Sequence, residues 1–260
     1  MIFDIGVSAI QGGRDYQEDS FVITDPYASN TDFSKLNNIM LLVADGVGGE
    51  TAGSLASQIA GHSSAKYIQS CFDQTVSEQT LGLMLHGVGA AVNHELNKAI
   101  KLNPDTNGMA TTLILCLVLK HQMRWVSIGD SHLYLIRESV LHKLNADHSM
   151  AAIFAMNVID GSMSEADAAS HPDRNGLLSY LDGGEIRIID SPNEAVDLQE
   201  GDSIILASDG LDTLTSNEIV SVLTLEKNAQ DSAQALTDCV TQAGVEGQDN
   251  TTVIVMTIKH

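Results

Sequence analysis

Apolar residues fall in short blocks along this chain, and the spacing inside each block separates strands from helices. Residues 2–10 and 20–24 read as strands, and 39–44 is a continuous apolar run that stops at Asp45-Gly46. From residue 50 to 72 the pattern becomes helical, with Leu55, Ile59, Ala60 and Ile68 recurring near a helical period. A second helix is expected from Thr75, where Thr75-Val76-Ser77-Glu78 fits a capping box, running through Leu83, Val88, Ala91, Leu96 and Ile100. Residues 111–120, 124–128 and 132–136 are three closely spaced β-rich segments, as in a meander. Between Asp147 and Leu181 the chain breaks into short helical pieces, with Ser162-Met163-Ser164-Glu165 as a further cap signal, before the turn Asp182-Gly183-Gly184. That stretch reads as an inserted subdomain. Strands are expected again at 185–189, 203–207 and 251–258, and helices at 217–225 and 232–243. Blocks of strands followed by pairs of helices, without strict alternation, argue for an α+β layered domain of antiparallel sheets.

Composition narrows the classes. With 260 residues, 43% hydrophobic and 18% charged, the chain can bury a large core and is expected to form one domain. The 13 basic residues against 34 acidic ones leave a net charge of −21, which repels phosphate backbones and argues against nucleic acid as a partner. Cys71, Cys116 and Cys239 are widely spaced and form no CxxC or Cys/His pattern, so they read as reduced thiols in a cytoplasmic protein. Residues 1–10 carry no Lys or Arg, unlike a signal peptide, and the longest apolar run, Leu113–Leu119, is far short of the ~18 residues that cross a bilayer. No membrane association is expected.

The chemistry lies in the acids at strand ends. Asp45 and Asp209 each end an apolar run and each precede a glycine. Asp249-Asn250 immediately precedes a strand, Glu18-Asp19 opens one, and Asp130 sits between two. Singly, each is also explained as a turn residue, because Asp bonds its own backbone and Gly accepts positive φ. Brought to one sheet edge together, they would repel one another unless a cation lay between them. With no Cys or His in the set, that cation would be hard, Mg²⁺ or Mn²⁺ in an oxygen shell.

In order, these segments resemble the metal-dependent protein phosphatases of type 2C, the PPM family. Arg14-Asp15-Tyr16-Gln17-Glu18-Asp19 is similar to the R-x-x-x-E-D opening, and Asp45-Gly46-Val47-Gly48-Gly49 to the D-G-x-G-G loop. Met109-Ala110-Thr111-Thr112 resembles G-T-T, Gly129-Asp130-Ser131-His132 resembles G-D-S-R, and Asp147-His148-Ser149 resembles the D-H-S that starts the flap. Ser208-Asp209-Gly210 and Asp249-Asn250 match the last two motifs.

The resemblance implies a four-layer α/β/β/α sandwich of two antiparallel sheets flanked by helices. One domain would span 1–260, with a flap insert at approximately 147–184. It implies that Asp45 bridges two Mn²⁺ or Mg²⁺ ions, that Glu18 and the Gly46 carbonyl complete one shell, and that Asp209 and Asp249 hold the other ion. Asp130 would join a third, weaker metal, Asp19 would orient water beside Asn250, and Arg14 would clamp the substrate phosphate. The implied activity is that of a bacterial-type Ser/Thr phosphatase, a hydrolase in which a metal-bridged water attacks phosphoserine or phosphothreonine. Its partners would be phosphoproteins and a cognate Ser/Thr kinase in signal transduction, and the chain would be a cytoplasmic monomer. The rival reading is a catalytically silent phosphatase-like module that binds phosphoproteins.

The chain departs from the pattern in places. Val47 stands where some members carry a histidine proposed as general acid, so the leaving group must take its proton from metal-bound water or another residue. Ala110 replaces the glycine of G-T-T, Gln17 stands where Asn is frequent, and His132 replaces an arginine, which predicts the loss of an ion pair. Tyr180-Leu181-Asp182-Gly183-Gly184 departs from the usual flap ending, and His148 is read as a flap anchor. No Walker A loop, G-x-S-x-G elbow or zinc motif competes.

Overall fold

The computed structural model describes residues 2–26, 38–71 and 78–259. In chain order the strands and helices begin with β1 (Ile2–Ile10), β2 (Ser20–Thr24), β3 (Asn38–Ala44), β4 (Gly46–Val47), α1 (Glu50–Cys71) and α2 (Glu78–Leu102). Next come β5 (Ala110–Thr111), β6 (Leu113–Leu119), β7 (Gln122–Ile128), β8 (His132–Arg137), β9 (Val140–Lys143), α3 (Met150–Ile159) and α4 (Glu165–Ser170). The chain closes with β10 (Val196–Asp197), β11 (Ser203–Ala207), α5 (Ser216–Leu225), α6 (Ala229–Ala243) and β12 (Thr251–Lys259). One sheet has the order β1-β12-β11-β8-β9 and the other β10-β7-β6-β3-β2, all antiparallel, with a short β4-β5 ribbon beside them.

The continuous apolar runs are explained by burial on both faces. In β3, Ile39, Leu41 and Val43 point between the sheets, while Met40, Leu42 and Ala44 point toward α1 and α2. β6 divides the same way, with Ile114, Cys116 and Val118 inward and Leu113, Leu115 and Leu117 under the helices. On the other sheet, Ile204 and Leu206 join the inter-sheet core while Ile205 and Ala207 meet Leu236 and Val240 of α6. Three apolar layers therefore separate four layers of secondary structure, the α/β/β/α sandwich that the resemblance implies.

Several sequence expectations need correction. Residues 185–189 do not form a strand. The isolated bridge with Ser127 falls just beyond them at Asp190, and the Ile188 backbone is satisfied by the Ser179 hydroxyl, which takes the place of a neighbouring strand. The cap of α4 is Ser164 rather than Ser162, because the Ser164 hydroxyl accepts from the Asp167 N–H. Helix α6 starts at Ala229, capped by Asn228. Residues 111–120 divide at Thr112, whose N–H leaves the ladder for the Asp45 carbonyl at 2.8 Å. The capping box expected at Thr75 lies outside the described residues, as does the end of the first helix at Phe72.

Residues 147–184 carry α3 and α4, and their two ends are tied together. Leu178 N–H donates to His148 O at 2.7 Å, Met150 N–H donates to Gly176 O, and Ser149 bridges to Leu177. The altered flap ending is held firmly, with Leu181 paired to Thr111 through two backbone bonds of 2.9 Å and Gly183 and Gly184 gripped by Asn93 and Asn97 of α2. No described helix is long and apolar enough to cross a membrane.

Candidate active site

The strand-end acids meet at one end of the sandwich. β3 delivers Asp45, the β7–β8 turn delivers Asp130, and the 3-10 turn after β11 starts at Asp209. Asp249 sits just before β12, and Glu18-Asp19 just before β2. Glu18, Asp45, Asp130, Asp209 and Asp249 line one cavity of about 280 Å³, with Gly46, Thr112 and Asn250 in its wall and Arg14 at its mouth. Asp19 lies behind this wall. An adjoining cavity of about 420 Å³ shares Arg14, Asp130, Asp209 and Asp249 and adds Asp147, Arg174 and Asp212. A larger groove of about 710 Å³ along α2 has no carboxylate in its lining, so it is not where this chemistry sits.

The backbone around Asp45 is over-determined. Thr112 Oγ1 accepts from the Asp45 N–H at 2.9 Å, while Thr111 Oγ1 and the Thr112 N–H donate to the Asp45 carbonyl. Gly46 follows with no room for a side chain. A Cβ there would lie 2.1 Å from Gly53 O and 2.7 Å from Glu18 O. Across the cavity, Asn250 ties three points of the 11–18 loop, donating to Gln11 O and Tyr16 O and accepting from the Glu18 N–H at 2.7 Å. Gln17 also braces this loop, accepting from the Asp19 N–H.

Electrostatics bear the mark of crowded like charges. Burial, and then the charges of Asp19, Asp209, Asp130 and Asp249, push the Asp45 carboxyl well above the usual range. Burial outweighs the Ser208 hydrogen bond to raise Asp19 to about 7, and burial with neighbouring Asp209 and Asp147 raises Asp130 to about 8. Glu18 and Asp209 are also raised, chiefly by burial. Glu18 Oε1, Asp19 Oδ1 and Asp209 Oδ1 are buried without a hydrogen-bond partner. The carboxylates face one cavity yet stand apart, since among the described residues no three His, Cys, Asp or Glu side chains close into a ligand set. Arg14 Nη2 rests on Asp249 Oδ2 at 2.5 Å, so the guanidinium at the mouth already offsets part of this charge.

The structure also revises the departures. His132, fully buried, places Nε2 2.9 Å from Asp212 Oδ1, so the shorter side chain still meets a carboxylate, although neither ring nitrogen makes a hydrogen bond. His148 does anchor the flap: its Nδ1 accepts from the Gly129 N–H. Val47 is 46% exposed on the cavity rim and offers no proton. Sequence reasoning passed over Thr112, Arg174 and Asn175. Thr112 lay inside a quoted motif but was given no role of its own, and nothing in the pattern of the flap pointed its Arg174-Asn175 pair toward the acids.

Comparison with known proteins follows the same lines. The protein phosphatase 2C family model matches residues 25–249. This chain belongs to the protein phosphatase 2C family. It is thus a protein phosphatase, a hydrolase. The match starts after Arg14, Glu18 and Asp19, but structural similarity extends over them. The phosphatase chain is similar to the serine/threonine phosphatase PstP/Ppp of Mycobacterium tuberculosis, with a TM-score of 0.80 and 28% identity over all of both chains. A second similar structure, with a TM-score of 0.76 and 26% identity over 100% of this chain and 99% of the other, is a PstP catalytic domain in complex with 2 manganese ions. Among curated relatives, the serine/threonine phosphatase stp of Listeria monocytogenes serovar 1/2a is 29% identical over 227 residues, 86% of each chain.

Proposed function

We propose that this phosphatase hydrolyses phosphoserine and phosphothreonine in proteins, opposing a Ser/Thr kinase, through two Mn²⁺ or Mg²⁺ ions held by its strand-end acids. The observation that carries the reading is the meeting of Glu18, Asp45, Asp130, Asp209 and Asp249 on one cavity, with buried carboxylate oxygens that have no partner. An all-oxygen donor set of this charge fits a hard divalent cation. Asp45 would serve both ions, Glu18 and the Gly46 carbonyl one of them, and Asp209 and Asp249 the other, with Asp130 and Asp209 meeting a third. Such ions supply Lewis-acid polarisation of the phosphoryl oxygens and lower the pKa of a water.

The chain's own residues do the rest. Arg14, at the mouth, would exchange Asp249 for two phosphoryl oxygens, a match for its planar fork. Asp19, held by the Ser208 hydroxyl at 2.7 Å, would orient water behind the ligands. Thr111 and Thr112 hold the Asp45 backbone still, so reacting atoms are positioned before charge develops. We further read the chain as one domain, a cytoplasmic monomer.

Hydrolysis of p-nitrophenyl phosphate and of a phosphothreonine peptide tests this with Mn²⁺, with EDTA, and with Asp209→Ala. Phosphate release that needs Mn²⁺ and is abolished by EDTA and by the substitution is the expected result. A folded, Mn²⁺-loaded chain that turns over neither substrate would replace the reading with a phosphoprotein-binding module.

A further inference from the structure

The turn Gly129-Asp130-Ser131 is clamped from two sides. On the sheet side, Ser131 Oγ lies 2.7 Å from Thr112 Oγ1, the same atom that receives the Asp45 N–H, and Asn145 Nδ2 donates to Ser131 O at 2.8 Å. Gly129 packs so tightly on Thr112 that a Cβ would fall 2.7 Å from Thr112 Cβ. On the flap side, one residue makes the connection. His148, 3% exposed, donates its N–H to Gly129 O at 3.1 Å and accepts the Gly129 N–H on Nδ1 at 3.2 Å. Its own carbonyl takes the Leu178 N–H at 2.7 Å, from the far end of the flap. His148 therefore binds both ends of the flap to the turn that carries Asp130, and the same flap places Arg174 and Asn175 on the cavity.

We infer that His148 is a positioning residue that sets Asp130 in register with the flap, through the bond from the Gly129 N–H to its Nδ1. The imidazole touches no reacting atom; it acts on Asp130 through the turn. Residues that fix a metal-ligand loop from behind cost tenfold to a hundredfold in metal affinity or activity when removed. Loss of the acceptor would also leave a buried N–H without a partner, which releases the turn rather than the whole fold. The inference rests on the reading that Asp130 holds a divalent cation.

The test uses the full chain with His148→Ala, His148→Asn and a remote control, Val240→Ala, on the buried face of α6. An Asn Oδ1 stands close to where the His Nδ1 was and restores the acceptor. In EDTA, amide exchange at residues 129–131 is expected to speed up in His148→Ala and to return toward wild type in His148→Asn. Calorimetric titration with Mn²⁺ is expected to show the weakest binding step lowered about tenfold or more in His148→Ala, with tighter steps unchanged. With Mn²⁺ saturating, kcat on the phosphothreonine peptide should fall about tenfold while KM for p-nitrophenyl phosphate holds. Val240→Ala should lower Tm without these changes.

Unchanged exchange and unchanged Mn²⁺ affinity in His148→Ala would overturn the inference. So would equal losses in His148→Ala and His148→Asn that Val240→Ala reproduces at matched Tm. If the wild type binds Mn²⁺ but releases no phosphate, the catalytic reading fails while exchange and titration still decide the role of His148. Wild type that binds no Mn²⁺ overturns both.

Discussion

Removing divalent cations should invert the usual pH dependence of stability, and Asp19 isolates the cause. A carboxyl whose pKa is raised by folding binds more protons folded than unfolded between its two pKa values, so stability falls as pH rises through that window. Asp19 goes from about 3.8 to about 7 on folding. Over pH 5 to 7 it stays largely protonated in the fold while its unfolded counterpart is ionised. At about 1.4 kcal/mol per pH unit, less the titration near 7, this one group removes about 2 kcal/mol. Asp130, raised to about 8, acts in the same direction over the same range. For a chain of this size 2 kcal/mol corresponds to a fall in Tm of about 4–8 °C.

The assay is thermal and urea unfolding in EDTA at pH 5, 6 and 7 for the wild type and Asp19→Asn. Net charge of −21 also weakens the fold as pH rises, while His148, whose pKa burial holds low, works the other way below about 6.5. The informative quantity is therefore the difference between the two proteins. Asparagine can still accept from Ser208 but cannot ionise, so Asp19→Asn should gain about 2 kcal/mol on the wild type between pH 5 and 7. A wild type in EDTA that becomes more stable over this range by the same amount as Asp19→Asn would refute the reasoning.

Other outcomes follow from single contacts. Gly46→Ala should cost about 1–3 kcal/mol or more, since the obstructing atoms are the Gly53 and Glu18 backbone carbonyls, and should abolish phosphate release; urea midpoints and p-nitrophenyl phosphate turnover measure both. Asn250→Ala removes the ties to Gln11 O, Tyr16 O and the Glu18 N–H, loosening the loop that carries Arg14. It should raise KM for the phosphopeptide several-fold and lower stability by about 1–3 kcal/mol, read from steady-state kinetics and a melt. Leu206→Ala, fully buried between the sheets, should cost about 2–5 kcal/mol in urea unfolding with the slope unchanged.

The sequence by itself determined the elements whose signals are local. Apolar period marked β1, β3, β6, β7, β11 and β12 nearly to their ends, and block order indicated antiparallel layers under helices. The positions of Glu18, Asp45, Asp130, Asp209 and Asp249 at strand ends were legible too, because an abrupt switch from apolar run to Asp-Gly or Asp-Asn needs no tertiary knowledge. Signals that depend on a distant partner were not legible. Residues 185–189 have the composition of a strand, but Ser179 takes up the backbone groups at Ile188. Thr112 looks like any strand threonine until β3 brings the Asp45 N–H to its hydroxyl. His132 reads as a lost ion pair until the turn after β11 brings Asp212 within 2.9 Å. Tertiary structure alone decided that acids more than 200 residues apart face one cavity. Burial and then like-charge crowding raise the carboxyls of Glu18, Asp45, Asp130 and Asp209, and no property of a single segment carries that interaction, because it arises only when the fold removes water from between them.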